Sequence, residues 1–187
     1  MTRLPYLDPN LASAPVQDAL AALPDLHLFR VLGHAESVLT PWLALGAALL
    51  SSLSLDPRLR ELVILQVARS AGSDYERIQH EAIAAGVGVP PQQIHAVVSG
   101  HLEDSSLGDS APVLRVVDEL VRTHATTDAG FAILRQHLDD RGCVELLLVV
   151  GHYLGLALLA AAVDLELDPS AQMAVIDLAT AHRGETT

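Results

Sequence analysis

Apolar residues recur along most of the chain at intervals of three and four, and no stretch alternates with a period of two. That pattern predicts an all-α protein. Short helical pieces are expected near Val16–Leu23 and His27–Glu36. Thr40 followed by Pro41 reads as a helix start, a cap and then a proline in the first turn, leading into the apolar run Leu43–Leu50. Asp56-Pro57 opens the next helix in the same way, and Gly72 closes it after Ala71. Ser73 then caps a second helix that ends near Gly86. Pro90 and Pro91 introduce a short helix at Ile94–Val98, and Gly100–Ser110 reads as a polar loop, the best candidate for a flexible segment. Val113, Leu114, Val117, Leu120 and Val121 mark a helix over Pro112–His124, and Asp128–Leu138 repeats that spacing. Asp139 and Asp140 precede a long apolar helix, Gly142–Val163, and Asp168-Pro169 opens a last amphipathic one to about Thr180. Residues 1–28 read as an arm with a short helix, and 29–187 as one compact helical domain.

Composition narrows the class. Half of the 187 residues are hydrophobic but only 3% are aromatic, so the core is built mainly from Leu, Ala and Val. Eleven basic against twenty-three acidic residues give a net charge of −12, which argues against a nucleic-acid partner held through phosphates. The N-terminal residues lack the apolar core of a signal peptide. The Gly142–Val163 run is long enough to span a bilayer, yet Glu145 and His152 interrupt it, so a buried central helix is the expectation. A soluble, cytoplasmic protein with no membrane partner is the expectation. Cys143 is the only cysteine, which leaves no intrachain disulfide and no paired thiols.

Chemistry concentrates between Glu61 and Glu81. Glu61 sits in a row of Val63, Ile64, Leu65, Val67 and Ala68, where a charge needs a partner. One turn apart on the next helix are Glu76 and His80, with Tyr75 beside them. Each has a plainer reading. Ser73 and Glu76 fit a capping box, in which the glutamate returns to the cap residue's N–H. Glu61 suits the positive end of a helix, or pairs with Arg58 or Arg60. Tyr75 fits core packing, and His80 could be a satisfied core histidine. His152 follows Glu145 by two turns in the long apolar helix, next to Tyr153, and a buried pair of Glu145 with His152 is the structural reading there.

The spacing of these residues resembles the carboxymuconolactone decarboxylase and alkylhydroperoxidase-D superfamily. An acid, eleven residues, then Cys/Ser-x-His/Tyr-Cys/Glu-x-x-x-His is its pattern, here Glu61, Ser73, Tyr75, Glu76 and His80. The resemblance covers roughly Phe29 to Leu167. It implies an alkylhydroperoxidase-D-like helical bundle, and Asp56-Pro57-Arg58 leading to Glu61 faintly echoes Asp140-Arg141 leading to Glu145, as a duplicated hairpin or by convergence. Peroxidase members carry two thiols where this chain has Ser73 and Glu76. Arg77 departs from the aromatic common at its position, which bears on the substrate. The resemblance therefore implies a lyase or proton-transfer enzyme without metal or organic cofactor, acting on a small unsaturated lactone or carboxylic acid. His80, Glu61, Glu76 and Tyr75 would be catalytic, and Ser73, Arg77 (or Arg69) and His152 would bind substrate. It also implies a homo-oligomer, a trimer or hexamer. The competing expectations are a peroxidase-like protein that has lost its cysteines, a carboxylate–imidazole metal site, and a non-catalytic oligomer of the same fold.

Overall fold

A computed structural model describes residues 2–168. Every regular element among them is helical: α1 (Ala14–Ala21), α2 (His27–Leu32), α3 (Glu36–Ser51), α4 (Pro57–Ala71), α5 (Asp74–Gly86), α6 (Pro91–Ser99), α7 (Ser110–Thr123), α8 (Asp128–His137) and α9 (Asp140–Val163), with single 3-10 turns at Pro9–Leu11 and Ser105–Leu107. The C-terminal helix expected from Asp168-Pro169 lies outside the described residues. The chain forms two compact units, residues 2–52 with 159–168, and Leu53–Leu158.

In the first unit the N-terminal arm is tied to the chain end that follows α9. Arg3 N–H donates to the Val163 carbonyl at 2.7 Å, and Tyr6 stacks on His27 with ring centres 4.2 Å apart. Ser13 Oγ donates to Glu36 at 2.7 Å, and Leu39 and Leu49 of α3 are buried. The helix start expected at Thr40-Pro41 is not where α3 begins. It starts at Glu36, and Pro41 lies inside it. Proline there removes one bond, to the Ser37 carbonyl, and Ser37 is exposed to water that can take its place.

The second unit is organised around α4. Asp56 Oδ1 accepts from the N–H groups of Arg58 and Leu59 at 2.9 and 3.1 Å, and Pro57 supplies a first turn that needs no donor. Residues 60–68 are buried on every side, with Val63, Ile64, Leu65 and Val67 wholly inaccessible. Each such side chain contributes roughly 1.5–3 kcal/mol by leaving water. Helices α5, α6 and α7 pack around α4, and α8 lies against α7. Gly72 ends α4 in a left-handed conformation (φ 70°), turning the chain back so that α5 runs beside it. The polar segment after α6 is anchored by buried Leu107, and Gln93 Nε2 donates to the Ser106 carbonyl at 2.6 Å.

Helix α9 is long and apolar enough to cross a membrane. In the second unit it buries Cys143, Leu146, Val149, Val150, Tyr153, Leu156 and Ala157, as a core helix does. Burial on all sides, expected from its composition, is corrected: Val144, Leu148 and Leu158 are 56%, 51% and 64% exposed. Glu145 is fixed among the buried residues by neighbours other than His152. Its Oε2 accepts from Ser54 N, Ser54 Oγ and Leu55 N at 2.8–2.9 Å, and its Oε1 from Arg141 Nε at 2.7 Å. The expected Glu145–His152 pair does not form, because seven residues rise about 10 Å along a helix and the carboxylate is taken up by a closer loop.

Burial alone would raise the Glu145 pKa, but the Ser54 and Leu55 donors and Arg141 outweigh it and lower the pKa to about 2. A depressed carboxylate stabilises the fold above its unfolded pKa near 4.5, and that contribution is lost as pH falls toward 2. Glu145→Ala is expected to reduce the unfolding free energy by about 2–3 kcal/mol at neutral pH, because it strands two backbone donors. Urea denaturation of the two proteins checks this; a loss below about 0.5 kcal/mol would make the tether incidental.

Candidate active site

Glu61 lies in the second turn of α4 with its side chain wholly inaccessible, and each carboxylate oxygen meets a different cation-forming group. Arg60 reaches Oε1 through Nε and Nη2, both at 2.8 Å. His80 of α5 reaches Oε2 through Nδ1 at 2.8 Å. Burial works to raise the Glu61 pKa, but the fields and hydrogen bonds of His80 and Arg60 prevail and hold it below the ordinary range. An ionised carboxylate only accepts, so Nδ1 carries the proton of this bond and Nε2 is the nitrogen left to exchange one. The plain reading of Glu61 as a surface acid is therefore corrected, while its pairing with Arg60 forms together with the His80 contact.

Tyr153 of α9 closes the site from the far side. Its ring stands edge-on to His80, with centres 4.9 Å apart at 88°. Burial, and then the charge of Glu61, push its phenol well above the usual tyrosine range, so it stays an O–H group at neutral pH. Sequence reasoning gave Tyr153 no role of its own; its position beside His80 arises only from packing. His152 makes a similar edge contact with Tyr153 (5.2 Å, 83°), and burial followed by the proximity of His80 lowers its pKa.

Ser73, Tyr75 and Glu76 form the first turn of α5, all buried. The capping box read from the sequence is absent. Ser73 N–H donates instead to the Ala68 carbonyl at 2.8 Å, as part of the turn that ends α4, and Ser73 Oγ makes no cap bond. With its cap partner occupied, Glu76 is only 2% exposed and neither carboxyl oxygen has a hydrogen-bond partner. Burial raises its pKa to about 8, only partly opposed by the nearby Ser73 hydroxyl, which favours the anion without making a hydrogen bond of ordinary geometry.

The arginines expected to hold a substrate carboxylate each have contacts of their own. Arg77 is bridged to Asp74 (3.0 Å) and Glu81 (2.6 Å) along the outer face of its own helix. The Arg69 guanidinium lies over Gly100, where a Cβ would stand 2.0 Å from its Nη2. Among the described residues no group of three or more His, Cys, Asp or Glu side chains is placed to hold a metal ion. Cys143 is buried at the start of α9, and burial raises its thiol pKa.

Residues 36–106, which include Glu61 and His80, match the carboxymuconolactone decarboxylase family. The fold is similar to a crystal structure described as an alkylhydroperoxidase AhpD core, an uncharacterized peroxidase-related protein from Ralstonia eutropha JMP134. The two share 16% identity and a TM-score of 0.78, over 94% of this chain and 96% of that one. A peroxidase-related protein from Silicibacter sp. TM1040 gives the same identity and TM-score over 93% and 95%. No curated protein matches in sequence. The fold is all-helical and like that of the alkylhydroperoxidase AhpD core. The family match covers 36–106, under half of the chain, and the structural likeness extends to the fold.

The two site glutamates respond to pH in opposite senses. Glu76 has a raised folded pKa, so the unfolded chain ionises from about 4.5 while the folded one stays neutral to about 8. Its contribution is favourable at low pH and is lost as pH rises through that window. Glu76→Gln is therefore expected to gain stability relative to wild type between pH 4.5 and 8, by up to about 5 kcal/mol. Thermal and urea unfolding of both proteins across that range checks it; a difference that stays constant with pH would contradict a buried, unpaired acid.

Proposed function

We propose that the chain is a cofactor-independent proton-transfer enzyme like carboxymuconolactone decarboxylase, a carboxy-lyase acting on a small unsaturated lactone or carboxylic acid. The observation that carries this reading is the buried Glu61–His80 pair, 2.8 Å apart, with Nε2 left over. A buried carboxylate that orients one imidazole nitrogen and leaves the other for exchange is a general acid–base device. In the proposed reaction the bond to the carboxyl carbon breaks and carbon dioxide leaves. The electron pair moves into a conjugated carbonyl as an enolate. Protonated His80 then delivers a proton from Nε2 to carbon and regains one from solvent. Glu61 stabilises the imidazolium, and Arg60 keeps Glu61 ionised. Tyr153 walls the ring on one side, and His152, held toward its neutral form, lies within reach of the His80 field.

A dithiol peroxidase would need a thiol pair, and the sequence has Cys143 alone. We also take the chain to be cytoplasmic and to assemble with itself as a trimer or hexamer; the exposed Val144, Leu148 and Leu158 of α9 support self-association. His80→Gln, assayed below its own unfolding midpoint, should lower kcat/KM for decarboxylation, or for deuterium exchange of an unsaturated lactone acid, by about a hundred- to ten-thousand-fold. Turnover at the wild-type level in that variant would remove His80 from the chemistry.

A further inference from the structure

The proton-transfer reading leaves the first turn of α5 unexplained. Ser73 and Glu76 are three residues apart and so share a side of the helix. They are 9% and 2% exposed, and Ser73 Oγ and both Glu76 carboxyl oxygens lack a hydrogen-bond partner. Burying three such atoms without partners is unfavourable in a protein that otherwise ties its buried carboxylates firmly, as at Glu61 and Glu145. They also lie at the start of a thirteen-residue helix, whose positive end favours an anion over a cation.

We infer that the Ser73 hydroxyl and the carboxylic acid of Glu76 form a two-donor hole for the oxyanion that develops on the substrate's carbonyl oxygen. The inference rests on the proposed reaction and narrows its substrate class. The carbon that loses the carboxyl group must be conjugated to a lactone or ketone carbonyl, since that oxygen receives the electron pair. When the carbon–carboxyl bond breaks, the new enolate oxygen accepts from Ser73 O–H and Glu76 O–H, and no other reactant is needed. A carboxylic acid kept neutral by an apolar site is an established kind of oxyanion donor. The raised pKa of Glu76, about 8, agrees with that protonation state.

The surroundings of Glu76 suit it. On α4, the nearest ionised carboxylate, Glu61, is already matched by Arg60 and His80. On α9, the Tyr153 phenol feels the Glu76 charge and stays protonated. On α5 itself, His80 directs Nδ1 to Glu61. On α6, His95 is exposed.

The test uses 4-nitrophenolate, an oxyanion that undergoes no proton transfer to carbon, with binding followed by absorbance and calorimetry between pH 7.5 and 9.5. Wild type is expected to bind it at pH 7.5 and to lose affinity about tenfold per pH unit above 8, as Glu76 ionises. Glu76→Gln keeps an N–H donor at every pH and should bind with a flat profile. Glu76→Leu and Ser73→Ala should each weaken binding at pH 7.5 by about ten- to a hundredfold. Should Glu76→Leu fail to fold, the Glu76→Gln profile decides alone. Absence of millimolar binding to wild type, a flat wild-type profile, or a parallel loss in Glu76→Gln each overturns the inference. Loss of the phenolate profile with His80-dependent turnover intact removes the hole alone, and the reverse pattern removes the proton transfer alone.

Discussion

Glu61 is a carboxylate with no access to water in the middle of the most buried helix of its unit, and its surroundings are constrained by that fact. An uncompensated charge there would cost several kcal/mol, more than a small domain tolerates. Two groups make it acceptable, Arg60 on one oxygen and His80 on the other. That requirement fixes the hairpin. Helix α5 must return beside α4 at a register that brings His80 within 2.8 Å, and the left-handed turn at Gly72 provides the reversal. The same contact fixes the ring of His80, and the edge of Tyr153 confines it from α9.

The second carboxyl of the hairpin has the opposite solution. Glu76 is buried without a cation or a donor bonded to it, so the neutral acid is favoured, whereas Glu61 is held as the anion. Two carboxyls in one hairpin are thus driven apart in protonation, Glu61 by its partners and Glu76 by burial. Such separation is how a site obtains an acid and a base from one residue type. The arrangement is unfavourable for stability near neutral pH, a trade common where groups are poised for chemistry.

Much of this was legible in the sequence. Asp56-Pro57 and Gly72 mark the ends of α4 through backbone donors and a left-handed turn, both local effects, and the helix runs from Pro57 to Ala71 as they predict. The spacing of Glu61, Ser73, Glu76 and His80 marks the hairpin in which Glu61 and His80 meet. The misreadings have a shared cause, competition between neighbours. Ser73 and Glu76 spell a capping box, but the end of α4 claims the Ser73 N–H first. Thr40-Pro41 spells a helix start, yet a proline is tolerated within α3 where the freed carbonyl faces water. Glu145 and His152 share a helix face, yet the loop at Ser54 and Leu55 offers the glutamate closer donors. Tyr153 and the exposed side of α9 depend on tertiary packing, which local spacing does not encode.

The opposed protonation of the two hairpin carboxyls is the claim on which the rest turns. Carbon-13 NMR of protein labelled at glutamate side-chain carboxyls, titrated from pH 4 to 10, measures it directly. One resonance should titrate near pH 8 and vanish in Glu76→Gln, while the Glu61 resonance stays that of an anion from pH 5 upward. If every glutamate titrates within the ordinary range below about 5.5, Glu76 is an ordinary acid and the account is wrong.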